Sequence, residues 1–381
     1  MIRTLHIDIE GGYGGSSRSL FELVSRLPRD RIEPFVSYRQ DGPARDRYVA
    51  INVETIHVPE IGSYVPRQKA ALKNLLGSAP RMIHLGRAAH TLARFTAEHS
   101  VNVIHLNYEG LFLLAPRLKQ LTGLPLVCHH RALVPDNLWG RWLVRTLCRC
   151  CDYFFFISPQ EEHRVRTLEG DWRVPGEVLW NIAPERPAGL PAFDPPKAVY
   201  LGNVDPQKGT DRILDIAAKL DQLGAPALRI AIYGEGRTSG GFFKSLANRI
   251  DREQLSHRVT LEGFTSSPEE VLVRALALIR PSRANDPWGR DVIEATAFGV
   301  PVIATGCFDG VVRSGVTGWL HDVFDAEAAA RQLIALVKEP ELRRRMGAAA
   351  REKVARKFNG AEQATRATAV FEKLANTVVS E

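Results

Sequence analysis

Residues 280 to 304 read RPSRANDPWGRDVIEATAFGVPVIA. The apolar run LALI, ending at Ile279, precedes this stretch. A turn-rich loop follows from Pro281 to Gly289, then a helical stretch carrying Glu294, then Gly299-Val300-Pro301 before a second apolar run, VIA. Strand, polar entrance, helix and strand make a βαβ unit. Asp286 and Glu294 stand eight positions apart, with Gly289 and Arg290 at the helix start. A helix start carries unpaired backbone N–H groups and the positive end of the dipole, so it receives an anion such as a diphosphate. Carboxylates beside it suit sugar or ribose hydroxyls, which are hydrogen-bond donors.

Outward from this unit the same alternation continues. Behind it run AVYLGNV (198 to 204), LRIAIYG (228 to 234) and RVTLEG (258 to 263), alternating with helical stretches near 210–223, 241–254 and 268–275. The helix of the opening block falls near 291–298. Ahead of them, strands are expected at 4–9, 32–38, 53–58, 101–107, 124–130 and 153–158, with helix at about 67–98. Residues 183–196, APERPAGLPAFDPP, hold five prolines in fourteen positions and no periodicity, as an interdomain linker does. Strands alternating with helices predict parallel sheets covered on both faces, with ligands at the carboxyl ends of the strands. The expected fold is α/β, two doubly wound Rossmann-like domains facing a cleft. Their expected bounds are 1–182 and 197–357. Two helices near 326–337 and 340–357 end the second domain, and an amphipathic tail over 358–381 is expected to pack back on the first.

Near the N-terminus, GGYGGSSRSL turns the first strand into a helix. Gly14 and Gly15 let the backbone approach a ligand, and the helix start offers donors. A tight strand-to-helix turn is the competing explanation. The full G-x-G-x-x-G is absent, because Gly12, Gly14 and then Ser17 occupy its three positions. Were this an NADP-dependent oxidoreductase, Arg39 in SYR would have to read the 2′-phosphate. That alternative leaves Lys208, Asp286 and Glu294 without a role.

The formal charge is +7, unevenly spread: residues 1 to 190 carry 24 basic and 19 acidic side chains, the remainder 26 and 24. The first half is the basic one. Residues 61 to 97 contain no acid but include Arg67, Lys69, Lys73, Arg81, Arg87 and Arg94. In RWLVRTLCRC, Arg141, Arg145 and Arg149 recur every four residues, the pattern of a basic amphipathic helix. Both features fit either a solvated helical face or an anionic membrane surface or acidic acceptor. Nucleic acid is not expected, since no recognised binding module accompanies the charge. Five cysteines (128, 148, 150, 151, 307) form no even framework and fit a reducing cytoplasm, as buried thiols rather than metal ligands. No signal peptide or spanning run is visible, so the expected location is the cytoplasm, peripheral on the inner face of the membrane.

The opening block resembles the signature of the family 4 retaining glycosyltransferases: Pro-Ser, a carboxylate, Trp-Gly, a second acid eight residues on in Glu-Ala, then Gly-x-Pro-Val-Ile-Ala. The resemblance extends over most of the chain, through Gly14-Gly15, Asn181, Leu201-Gly202, Lys208-Gly209, Gly234-Glu-Gly236, Gly263 and Thr317-Gly318. It implies the GT-B fold and transfer of a sugar, of hexosyltransferase type, from a nucleotide-diphosphate sugar to a glycan or lipid-linked glycan, as in polysaccharide biosynthesis. No cofactor or metal is implied, the nucleotide sugar being a substrate, and no Asp-x-Asp occurs anywhere in the chain. Lys208 is then expected on the donor pyrophosphate, where charge builds on the leaving group, with Arg283 or Arg290 as auxiliary cations. Glu294 is expected on the ribose hydroxyls. Asp286 and the segment through Trp288, Gly289 and Arg290 would face the transferred sugar. Gly234, Gly263 and Phe264 would surround the base, and His129, with His130 as the alternative, would lie opposite the donor. Asp286 stands where the family commonly has Glu, and Asn203, in the donor loop, where it commonly has Arg. Those two departures motivate another alternative, a catalytically silent glycosyltransferase-like binding protein.

Overall fold

The computed structural model describes residues 1–62, 78–170, 174–187, 194–235, 240–283, 289–306 and 310–378. Arg67, Lys69 and Lys73 of the basic run, and Asp286 and Trp288 of the opening block, lie outside the described residues. Contacts divide the chain into two units, Met1–Ile182 together with Gly360–Glu381, and Ala183–Asn359.

The first unit is built on seven parallel strands: β1 (Ile2–Ile7), β2 (Ile32–Tyr38), β3 (Glu54–His57), β4 (Val103–Leu106), β5 (Leu126–His130), β6 (Tyr153–Phe156) and β7 (Gly176–Val178). Their spatial order is β3-β2-β1-β4-β5-β6-β7. The order reverses between β1 and β4, which pair from Thr4 with Val103 to Ile7 with Leu106. Both faces of the inner strands are covered, so β2, β4, β5 and β6 are buried along almost their whole length without alternation. On one face Leu5, Ile7, Ile104, Leu106, Phe154 and Phe156 form a core. On the other, Val103, Val127 and Phe155 meet Ala364, Ala367 and Phe371 of the helix Gly360–Val378.

That terminal helix reaches the first sheet because its small and apolar residues recur at helical spacing: Ala364, Ala367, Val370, Phe371 and Ala375 are all buried. Polar contacts fix its register: Gln363 Oε1 accepts from the Trp180 amide at 3.0 Å, and Arg366 and Glu372 pair with Glu177 and Arg31.

The second unit has six parallel strands: β8 (Lys197–Leu201), β9 (Arg229–Tyr233), β10 (Val259–Gly263), β11 (Leu278–Arg280), β12 (Val302–Thr305) and β13 (Gly318–His321). The order β10-β9-β8-β11-β12-β13 again reverses at the first strand, between β8 and β11. Two strands were not anticipated from the sequence, β7 and β13. Both are short edge strands containing glycine, GEV and GWLH, and neither presents an apolar run. Of the helical stretches expected at about 67–98, the helix Ser78–Glu98 is described, and residues 67–77 lie outside the described residues.

The first sheet carries an unusual load of histidine. His6, His105 and His129 lie on the face covered by the terminal helix, and His130 stacks on Phe156 at 5.3 Å on the other face. His6 and His105 meet Nδ1 to Nδ1 at 2.9 Å, so one neutral ring donates and the other accepts. Burial holds all four rings well below the ordinary histidine pKa, His6 and His130 at about 3. The unfolded chain therefore takes up protons below about pH 6.5 that the folded chain refuses, and stability falls as the medium is acidified. Asp8 and Glu109 act in the opposite sense. Burial raises them to about 6 and about 7, so the stability that they contribute is present at low pH and lost as pH rises through those values.

With four rings against two carboxyls, the melting temperature should drop between pH 7 and pH 5, and His130→Leu should flatten that drop relative to the parent in thermal unfolding. An unchanged slope in the variant would contradict the burial of a neutral ring. Phe371→Ala should cost about 3–5 kcal/mol in urea unfolding, because it empties the contact between the terminal helix and Phe155.

Candidate active site

The carboxyl ends of β8, β9, β10 and β11 carry most of the expected donor residues. After β8 the chain passes Gly202 and Asn203, both exposed, and the Tyr200 hydroxyl donates to the Asn203 carbonyl at 2.7 Å. Asp205 caps a short turn, Pro206–Lys208, accepting from the Gln207 amide at 2.7 Å. Lys208 ends that turn half-buried. Gly209 then adopts φ +69°, and a Cβ there would stand 1.9 Å from the Pro281 carbonyl oxygen. Only glycine allows this approach, which joins the loop after β8 to the loop after β11.

The joint is reinforced from both sides. The Arg283 amide donates to the Gln207 carbonyl at 2.8 Å, and the Arg212 guanidinium donates to the carbonyls of Pro281 and Ser282 at 3.1 Å each. Strands β8 and β11 are the pair at which the strand order reverses. Their loops leave toward opposite faces there, and ligands of doubly wound sheets bind at such a point. The loops after β8, β9 and β10 are also linked. A Cβ on Gly234 would lie 1.7 Å from the Gly202 carbonyl oxygen, and the Gly234 amide donates to the Gly263 carbonyl at 2.7 Å. Phe264, just beyond, is half exposed at 51%.

The helix Arg290–Ala297 starts at Gly289, whose backbone is extended and which supplies no side-chain cap. Two ion pairs flank this start. Arg290 Nε lies 2.7 Å from Glu294 Oε1, one turn along, with both residues buried. Arg280, the last residue of β11, donates to Asp291 Oδ1 at 3.0 Å. A Cβ on Gly289 would stand 2.5 Å from Asp291 Oδ1 and 2.9 Å from an Arg280 nitrogen, so the glycine admits this pair. Asp291 in the first turn complements the helix dipole. Arg280 was not singled out from the sequence, because a cation at the end of an apolar strand carries no signal until its partner is known. Arg283, named there as an auxiliary cation, makes two bonds to Asp211 at 2.6 and 2.7 Å. Arg290 is likewise engaged, with Glu294.

In the first unit, Gly14 caps the helix Gly15–Val24 with no side-chain bond. A polar network underlies this turn. Asp8, buried at the end of β1, accepts from the Ser17 hydroxyl, the Ile9 amide and Asn107 Nδ2. Arg131 donates to Asn107 Oδ1 and to Asn181 Oδ1, each at 2.7 Å, and its amide donates to Glu109 Oε2 at 2.8 Å. Three strand ends are thereby tied together. His129, expected opposite the donor, is only 2% exposed and its ring lies among His105 and Phe155. His130 is fully buried. Arg131, two residues on, is the strand's polar group at the sheet edge, and the run HHR was the available signal.

Among the described residues no helix is long and apolar enough to cross a membrane. A model of glycosyl transferases group 1 matches residues 183–353, and a model of glycosyltransferase family 4 matches residues 13–178. A D-inositol 3-phosphate glycosyltransferase of Mycolicibacterium paratuberculosis is 33% identical over 157 residues, 40% of this chain and 34% of that protein. An N-acetyl-alpha-D-glucosaminyl L-malate synthase of Bacillus anthracis is 30% identical over 162 residues, 42% of this chain and 41% of that protein. The matched stretch thus spans less than half the length of these curated relatives. Among solved structures, Anabaena HepE in complex with UDP and glucose superposes with a TM-score of 0.77 at 17% identity, covering 98% of this chain and 100% of that one. Sucrose-phosphate synthase from Thermosynechococcus elongatus gives 0.77 at 19% identity, covering 99% and 100%. These likenesses establish the two-sheet GT-B fold, and with one family model matched to each unit the chain belongs to the family 4 glycosyltransferases.

Proposed function

We propose that the protein transfers a sugar from a nucleotide-diphosphate sugar to a glycan or lipid-linked glycan, with retention of configuration and without a metal. The observation that carries this is the joint between residues 205–209 and 281–283 beside the start of the helix Arg290–Ala297. It sets the Lys208 loop and a helix N-terminus at one strand-order reversal. A diphosphate there would meet an ammonium and backbone amides, which is the electrostatics that a departing nucleotide needs. Glu294, paired with Arg290, would accept from the ribose hydroxyls. The base would rest by Gly234, Gly263 and Phe264. Asp286, Trp288 and Gly289 would face the sugar.

The reaction would proceed on one face of the sugar. The bond from the anomeric carbon to the diphosphate oxygen breaks as the acceptor oxygen bonds to that carbon, and the acceptor proton passes to the leaving phosphate oxygen. Lys208 would stabilise the charge gathering on the diphosphate. HepE has been solved in complex with UDP and glucose and with UDP-glucose, which favours a uridine donor as the first to test. In the first unit, Gly14 and Gly15 would bind the donor, and the Asp8, Asn107 and Arg131 network beneath that turn would lie on the acceptor side, with His129 a positioning ring behind it. We place the protein in the cytoplasm, acting at the inner face of the membrane.

Titration calorimetry with UDP and GDP tests the donor site. Lys208→Ala and Glu294→Gln should each weaken diphosphate-nucleotide binding by roughly 10- to 100-fold, the loss of one charge-assisted hydrogen bond, while the melting temperature of Lys208→Ala stays unchanged. Tight NADP binding with no binding of either nucleotide diphosphate would overturn the proposal. Binding without transfer or donor hydrolysis across a donor panel would favour a silent binding protein instead.

A further inference from the structure

The helix Leu138–Cys150 in the first unit buries Gly140, Leu143, Val144 and Leu147. Its remaining face is composed unlike an ordinary solvated one. At 3.6 residues per turn, Leu138, Arg141, Trp142, Arg145 and Arg149 fall within about 100° of arc. Leu138 is 87% exposed and Trp142 46%, and Leu133, in the loop ahead of the helix, is 37% exposed. All three arginines are exposed. Arg141 has a carboxylate partner in Asp136 at 3.3 Å. Among the described residues no carboxylate lies within ion-pair distance of Arg145 or Arg149.

Trp142 is held rather than loose. Its ring meets Phe112 edge-on at 4.9 Å and Trp139 at 5.0 Å, leaving the outer part of the indole to solvent. An amphipathic ring fixed at a surface, a leucine standing clear of it and a band of guanidinium groups without a single acid on the stripe form a composition with two demands. The apolar groups need a boundary that is less polar than water, and the arginines need dense negative charge. An anionic bilayer supplies both within one headgroup depth, where each basic residue attracts and a tryptophan settles. A soluble polyanion would answer only the second demand.

We propose that this face, Leu133 and Leu138 with Trp142 and Arg141, Arg145 and Arg149, docks the enzyme on an anionic lipid bilayer. The inference deepens the proposed transfer to a lipid-linked acceptor and names the surface that would bring the acceptor and the first unit together.

Co-sedimentation of the full chain with phosphatidylcholine vesicles, with and without one quarter phosphatidylglycerol, tests it. Binding should appear with the anionic lipid, weaken with salt, and be accompanied by a blue shift of tryptophan emission that Trp142→Phe diminishes. Arg145→Glu with Arg149→Glu should lower the partition coefficient by about 30-fold or more, from about 1 kcal/mol per basic residue. Leu138→Asp, at a position with little packing to lose, should lower it without changing the number of basic residues. UDP binding, measured in parallel, should be the same in all these variants. No vesicle binding, equal binding to neutral and anionic vesicles, or full retention in the double arginine variant would overturn the docking face. So would release by heparin with no emission shift on vesicles. None of those outcomes bears on the donor site, whose test is nucleotide binding alone.

Discussion

The close approach of Gly209 to the Pro281 carbonyl is the contact on which the proposed donor side of this protein depends. Two loops that leave adjacent parallel strands toward opposite faces have no local reason to meet. Their junction holds because position 209 has no Cβ and takes a left-handed conformation, and because Arg212 and the Arg283 amide satisfy the carbonyls that the approach would otherwise strand. The turn ending in Lys208 is thereby pinned to the segment that leads into the helix Arg290–Ala297. Any side chain at position 209 would have to separate them.

Charge is managed differently in the two units. In the second, cations at the helix start are paired: Arg280 with Asp291, Arg290 with Glu294 and Arg283 with Asp211. Removing one member of the buried Arg290–Glu294 pair or the largely buried Arg280–Asp291 pair leaves an uncompensated charge, so those residues also hold the site's shape. In the first unit, Arg131 collects Asn107 and Asn181 above a carboxylate, Asp8, that burial raises to about pH 6. The histidines nearby are kept neutral by the same burial. The imidazole expected to face a sugar is thus part of the sheet's interior, and the group that reaches the strand end is a guanidinium.

How much of this could be read in advance differs from element to element. The long β-branched or aromatic runs, IEPFVSY, LPLVCHH and YFFFIS, announced their strands because a sheet covered on both faces has no polar alternation to confuse. GEV and GWLH did not, since an edge strand borrows its order from a neighbour. Gly318 is tucked over the Val302 backbone, which nothing in its own sequence discloses. Lys208, Gly289 and Glu294 were legible as a spaced motif. Arg280 and Asp291 were not, because an ion pair eleven residues apart across a loop is a tertiary fact.

By itself the sequence determined the α/β class and the spacing of the residues in the 280–304 block, because periodicity, proline and glycine act through the local backbone. Tertiary structure alone decided which charges are paired and that His129 and His130 are enclosed. Burial and pairing depend on residues far apart in the chain, and the free energies that set them exist only once those residues have met.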